Sequence, residues 1–199
     1  MTEGWIVALL SLACFGSFAW AVKGHFRSEQ SVSLGMQILS LASILGMAWF
    51  LFRVEQGDLI SSWPVAVIPM IIALPLFWSA ILATRRRRLT LAFERDIPSF
   101  VQQNGPYRWI RHPFYTAYIL FWIATSLVTI GFIHWIVPAI LVITYITAAR
   151  REERKFARSV LAQSYQVYRD RTGMLLPLPW KRSKEGKQVL HHSDVVDRG

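Results

Sequence analysis

Asn104-Gly105-Pro106-Tyr107-Arg108-Trp109-Ile110-Arg111-His112-Pro113-Phe114-Tyr115 crowds basic, aromatic and turn-forming residues against the start of a long apolar run, and that run ends on the carboxylate pair Glu152-Glu153. Ionisable residues that frame two hydrophobic passes are costly to hold beside lipid, so they point to function at a membrane surface. Gly105-Pro106 marks a turn, and Pro113 suits the first turn of a helix, where its missing N–H costs nothing. His112 then precedes that helix, beside unpaired backbone N–H groups and the positive end of the helix dipole.

Outward from this segment the chain is strongly apolar. Hydrophobic residues make up 53% of the 199, mean hydropathy is +0.33 and nine residues are Trp, which is more apolar surface than a soluble domain of this size hides. Runs at about 5–22, 34–52, 63–83, 114–130 and 133–149 approach the roughly 18–20 residues that cross a hydrocarbon core. The last two form one stretch interrupted at Gly131-Phe132. As a single helix it would be roughly 50 Å long, too long for one crossing, so a hairpin is expected at Gly131. The predicted fold is all-α, an integral membrane bundle of about five transmembrane helices. One domain covers 1–180, with its chemistry-bearing part in 84–179, and 181–199 reads as a polar, loosely ordered tail.

Several function classes drop out. Cys14 stands alone, so neither a disulfide framework nor a thiolate metal site is available, and His25, His112, His134, His191 and His192 show no ligand spacing; no metal is expected. The run from Trp5 to Val22 lacks a basic start and a cleavage site before Lys23, so it reads as a span rather than a cleaved leader. A net charge of +10 is a value seen in nucleic-acid binders, but here the basic residues line a membrane interface. If the C-terminus is cytoplasmic, Lys23 and Arg27, the seven arginines from Arg85 to Arg111 and the twelve basic residues from Arg150 onward lie inside, leaving Arg53 outside. The positive-inside rule therefore predicts N-terminus out and C-terminus in. Arg85-Arg86-Arg87-Arg88 is then first a topology anchor touching anionic lipid, with a phosphate-binding role as the alternative.

Pro69 and Pro75 should kink the third span, while Pro64 is tolerated at its start. After the fifth span a continuing helix is expected, with Phe156, Val160, Leu161, Tyr165 and Tyr168 as its stripe, ended by Gly173 and Pro177. The segment from about 84 to 113 is the one long loop, and Phe93, Phe100, Tyr107 and Trp109 argue that it is ordered. Tyr107, Trp109, Tyr115 and Tyr118 also fit an aromatic belt, and Arg108 and Arg111 fit charged anchors. Glu152 and Glu153 point about 100° apart on a helix. One of them is expected to face the bundle, the other solvent or Arg150/Arg151.

Taken together, Gly105-Pro106-Tyr107-Arg108, Arg111-His112-Pro113-Phe114-Tyr115 and, after a hydrophobic hairpin, Glu152-Glu153 resemble the isoprenylcysteine carboxyl methyltransferase and phospholipid methyltransferase superfamily. Tyr165-x-x-Tyr168 and the stretch from Arg171 to Pro177 are similar too, whereas the first three spans match only in hydropathy. The resemblance implies methyl transfer from S-adenosylmethionine to a lipophilic acceptor: a prenylcysteine-type carboxylate, a lipid headgroup or a small hydrophobic thiol or carboxylate. It implies a cytoplasm-facing cofactor pocket lined by Tyr107, Arg111, His112, Pro113 and Tyr115, with Glu152 or Glu153 at the amino-acid end of the cofactor. Arg111 and His112 would be the catalytic residues. Charge agrees, since ammonium and sulfonium groups suit a carboxylate and aromatic faces, and a carboxylate suits Arg111 beside a helix N-terminus.

The chain departs from the superfamily pattern in three places. Ala117 stands where a Gly is usual, Tyr165 lies one residue farther from the glutamates, and the acceptor-contacting Arg has no unambiguous counterpart, Arg150 and Arg151 being nearest. A soluble dinucleotide-type site is excluded, because no two of the eleven glycines form Gly-x-Gly. Two rivals remain at this level: a nicotinamide-dependent, sterol-reductase-like membrane enzyme and a non-catalytic membrane subunit.

Overall fold

The computed structural model describes residues 2–26, 33–86, 89 and 100–178. Within them the chain forms α1 (Thr2–Gly24), α2 (Leu34–Glu55), a short α3 (Trp63–Ala66) leading into α4 (Ile68–Thr84), α5 (Pro113–Val128), α6 (Ile136–Ala157) and α7 (Ala162–Arg171). There is no strand among the described residues, only isolated bridges at Leu59–Thr129 and Ile110–Gly173. Arg87, Arg88, Phe93 and the tail 181–199 lie outside the described residues.

Four helical segments are long and apolar enough to cross a membrane: Glu3–Gly24, Leu34–Glu55, Trp63–Thr84 and Phe132–Ala157. This is a multi-pass membrane protein, and all five predicted passes are helical. The fourth, α5, has only 16 residues. At about 1.5 Å per residue it falls short of the roughly 30 Å hydrocarbon core. Its position explains the shortness, for eleven of its residues are buried. It packs between α4 and α6 and meets α1 through Phe18 against Tyr118 and Phe121 at 4.8 and 5.5 Å between ring centroids. Sheltered from lipid, α5 carries polar side chains that return to backbone carbonyls: Thr125 and Ser126 both donate to the Trp122 carbonyl, at 2.8 and 3.2 Å.

Backbone contacts assign the chain reversals to two ends of the bundle. At the far end, Ile60 N–H donates to the Val128 carbonyl and Ile130 N–H to that of Asp58. Arg53 belongs to this end, paired with Asp58 and lying over Trp49, with its guanidinium carbon 5.8 Å from the ring centroid. The hairpin forms where it was expected, with Gly131 at φ +107° opening a short 3-10 turn over Phe132–Trp135. At the near end, His25 Nε2 lies 2.8 Å from Thr84 Oγ1, and Phe26 packs on Phe114 at 5.0 Å.

Two expectations change in detail. Pro69 does not kink a continuous third span: the chain breaks at Val67, and Pro69 sits in the first turn of α4, where it lacks no needed hydrogen bond. Pro75 stays inside α4. The helix after the fifth span is not continuous either. Ser159 Oγ donates to the Phe156 carbonyl at 2.8 Å and accepts from Leu161 N–H at 3.1 Å, competing with the helical ladder and turning the chain into α7. The supposed stripe is thereby split, with Val160 98% exposed while Tyr165 and Tyr168 are buried.

Gly105 and Gly57 both take positive φ, +61° and +81°. A side chain at Gly105 would meet Ala83 Cβ at 2.9 Å, whereas at Gly57 nothing lies within 4 Å. Gly57→Ala should therefore cost about 1 kcal/mol from backbone strain alone, and Gly105→Ala a further 1–3 kcal/mol or so from overpacking on α4. Thermal denaturation in detergent checks the order, and equal losses for the two variants would contradict it.

Candidate active site

The site is assembled where the start of α5, the end of α6 and the segment after α7 converge. Gly105–Arg108 forms a 3-10 turn against α4. Trp109–His112 then runs beside residues 173–174: Gly173 N–H donates to the Trp109 carbonyl at 3.1 Å, Arg111 N–H to that of Gly173 at 2.8 Å and His112 N–H to that of Met174 at 3.1 Å. A Cβ at Gly173 would overlap the Leu176 carbonyl, so only glycine fits this crossing. Tyr168 Oη adds a bond to the Tyr107 carbonyl at 2.7 Å, and Thr116 Oγ1 one to the Leu175 carbonyl at 2.9 Å. His112 is the residue before α5, with Pro113 in its first turn, as the spacing predicts.

Arg111 is the centre of the arrangement. Its Nε donates to Glu153 Oε1 at 2.7 Å, and its Nη1 donates to the carbonyls of Arg169, at 3.1 Å, and Thr172. The pair is largely withdrawn from solvent, with side-chain exposures of 8% and 13%. His112 lies between the glutamates, Nδ1 3.5 Å from Glu152 Oε2 and Nε2 3.5 Å from Glu153 Oε1. Those are ion-pair distances rather than tight hydrogen bonds. Tyr115 Oη donates to Glu152 Oε1, and its ring stacks on His112 at 5.6 Å and on Tyr145 at 6.0 Å.

Both carboxylates therefore enter the site, which corrects the expectation that one of them would turn to solvent or to the neighbouring arginines. The angle between successive side chains is real, but His112 stands between them and each of its nitrogens reaches one carboxylate. Two buried hydroxyls lack a hydrogen-bond partner here, Tyr107 Oη and Tyr165 Oη, and His112 Nε2 has only its 3.5 Å ion-pair contact with Glu153. Tyr165 also stacks face to face on Phe156 at 4.3 Å. Unpartnered atoms of this kind are costly in a folded core, and they cluster where a ligand completes the hydrogen bonding. Among the described residues no group of three or more His, Cys, Asp or Glu side chains is placed to hold a metal.

Sequence reasoning picked out Tyr107, Arg111, His112, Pro113, Tyr115, Glu152 and Glu153, and the fold brings the side chains of Arg111, His112, Tyr115 and both glutamates into one bonded cluster. It missed the carbonyls of Arg169, Thr172, Gly173 and Met174. Backbone acceptors have no residue-type signal, and Gly173, read as a helix stop, was the single hint.

Residues 65–164 match the family model described as phospholipid methyltransferase. The chain belongs to that family. No curated protein matches it. The matched segment takes in the second half of α3, then α4, α5, α6 and every ionisable group of the cluster, but stops at Ser164, before Tyr165 and the carbonyls that hold Arg111. The membrane methyltransferase expected from the motif is thus the right class, and its fold is the expected all-α bundle.

The charge state of His112 follows from its neighbours. Burial acts against the charged ring, but the facing carboxylates of Glu152 and Glu153 outweigh it and raise its pKa above the ordinary 6.5. His112 then binds its proton more tightly folded than unfolded. Its contribution to stability is complete below about pH 6.5 and is lost as pH rises through the higher folded value. Melting temperatures in detergent between about pH 6 and 9 should fall more steeply for wild type than for His112→Gln. Parallel curves would show that the ring is not held as a cation.

Proposed function

We propose that this phospholipid methyltransferase family member uses S-adenosylmethionine to methylate an amine-bearing lipid at the cytoplasmic membrane surface. The observation that carries the reading is the buried cluster in which Arg111, His112, Glu152 and Glu153 meet beside the unpartnered hydroxyls of Tyr107 and Tyr165. Those atoms suit a polar ligand with several donors and acceptors, which the donor's amino-acid and sugar parts are. Tyr107, Arg111, His112, Pro113, Tyr115 and Glu153 would hold it, with Glu153, bonded to Arg111, as the one of the two glutamates at its amino-acid end and with Arg111 and His112 as the catalytic pair. When bound, its sulfonium supplies a methyl group already activated for attack, so alignment and exclusion of water do most of the catalytic work.

The acceptor class follows from the charge balance. Arg111 is engaged with Glu153 and two carbonyls through Nε and Nη1, which leaves little of it to grip an acceptor carboxylate. Glu152, bonded by the neutral Tyr115 hydroxyl and 3.5 Å from His112, is the carboxylate left to meet a cationic headgroup. The family's description as phospholipid methyltransferases agrees with an amine over a prenylcysteine carboxylate or a thiol. A non-catalytic subunit would leave the buried unpartnered atoms without a purpose.

The orientation rests on the same end of the bundle. Lys23, Arg85, Arg86, Arg108 and the basic residues from Arg150 to Arg171 lie at the end that carries the site, and Arg53 lies at the other. That asymmetry supports a cytoplasmic site, an outside N-terminus and a cytoplasmic C-terminus.

Two measurements test the proposal. Calorimetry of the purified protein should detect S-adenosylhomocysteine binding that Glu153→Ala and His112→Ala abolish; binding of a reduced nicotinamide instead would favour the reductase. Cysteine-accessibility labelling in intact cells should find position 56 outside and position 103 inside. The reverse pattern would discard the orientation.

A further inference from the structure

We infer that the two adjacent glutamates divide the work: Glu153 builds the site, and Glu152 meets the acceptor and removes a proton from its ammonium nitrogen. The inference rests on the amine-methylating reading above and deepens it by separating two carboxylates that the sequence leaves equivalent.

Their surroundings differ in direction. Glu153 is tied through Arg111 to the carbonyls of Arg169 and Thr172, which belong to the segment outside the bundle. Glu152 is bonded by Tyr115, which lies inside α5 and leads inward through ring contacts to Tyr118 at 6.4 Å and Tyr145 at 6.0 Å. The first carboxylate is thus joined to the end of α7, and the second to the buried rings of α5 and α6. A lipid reaches the site from the bilayer side, and a water-soluble donor from the other.

Availability differs in the same sense. The Glu153 side chain is 13% exposed and its Oε1 is held by a charge-assisted bond at 2.7 Å. Glu152 keeps 32% exposure, and its contact with His112 is 3.5 Å, longer than a normal hydrogen bond. His112 is less suited as the base, because a carboxylate faces each ring nitrogen and favours the protonated ring.

The step is a simple proton exchange. The N–H bond of the lipid ammonium breaks, its proton passes to a Glu152 oxygen, and the nitrogen keeps the electron pair as a neutral amine able to accept a methyl group. The carboxylic acid so formed returns the proton to water on its half-exposed side. Tyr115 fixes the carboxylate by donating to the other oxygen.

The test uses the full-length protein in detergent, as wild type, Glu152→Gln and Glu153→Gln. S-adenosylhomocysteine affinity is measured by calorimetry. Methyl transfer to an ethanolamine-headed phospholipid in phosphatidylcholine vesicles is followed from about pH 6.5 to about 9.5. Glu152→Gln should bind S-adenosylhomocysteine within about threefold of wild type, yet lose about 100-fold or more in kcat at neutral pH and regain it as alkali supplies free amine. Glu153→Gln should lose the binding itself. The division is overturned if Glu152→Gln keeps more than about a tenth of kcat, fails to recover with pH or loses binding as Glu153→Gln does. Wild type that binds no S-adenosylhomocysteine would end the donor reading and this inference with it. Wild type that binds it but methylates only a carboxylate or thiol amphiphile would overturn the amine acceptor and the role of Glu152 with it, and leave the donor reading standing.

Discussion

Arg111 donating at once to Glu153 and to the carbonyls of Arg169 and Thr172 is the constraint on which the rest of the site depends. Three parts of the chain meet in it: the lead into α5, the end of α6 and the turn after α7. None of them is neighbour to another in sequence. An ion pair withdrawn from water repays its desolvation only when geometry is good and further hydrogen bonds satisfy the leftover donors, and here backbone carbonyls supply them. Such a pair adds little net stability. What it does is fix register, so that His112 stands between two carboxylates and not beside one.

The same constraint explains the character of α5. A helix too short for the bilayer would be a poor lipid-facing span, but it serves well as the buried axis of a bundle whose other helices carry the lipid contact. Its start must be held at a definite depth, because His112, Pro113 and Tyr115 enter the site from its first turn. The bonds from residues 109–112 to 173–174 and from Thr116 to Leu175 hold it there from the water side, while Phe26 and Phe77 pack on its Phe114, and Phe18 on its Tyr118 and Phe121, from within. A polar lid and an apolar socket together fix where the reacting groups sit relative to the membrane surface. The proposed transfer from a water-soluble donor to a membrane lipid would use that placement.

Much of this is legible in the residues. Apolar run length announces five helical passes, Gly131 announces the hairpin, and Pro113 behind His112 announces the start of α5. The Arg-His-Pro segment and the glutamate pair announce the chemistry by their types. The break at Arg158–Leu161 was hidden, because a serine that bonds its own backbone looks like any other helical serine. The lengths of α5 and α6 were hidden too, since hydropathy locates lipid and not the polar extension that carries Glu152 and Glu153 beyond it.

What the amino-acid sequence by itself determined is therefore the class of molecule: an all-helical, multi-pass membrane protein with basic, aromatic and acidic groups gathered near one surface. Hydrophobic length and residue chemistry are local properties, and a chain displays them without folding. What only the tertiary structure decided is who meets whom. Both glutamates turn to one histidine, Arg111 closes on carbonyls 58 and 61 residues away, and the hydroxyls of Tyr107 and Tyr165 are left buried without a hydrogen-bond partner. Those relations depend on the packing of α5 against α6 and on backbone atoms that every residue carries alike, so no pattern of side-chain types encodes them one by one.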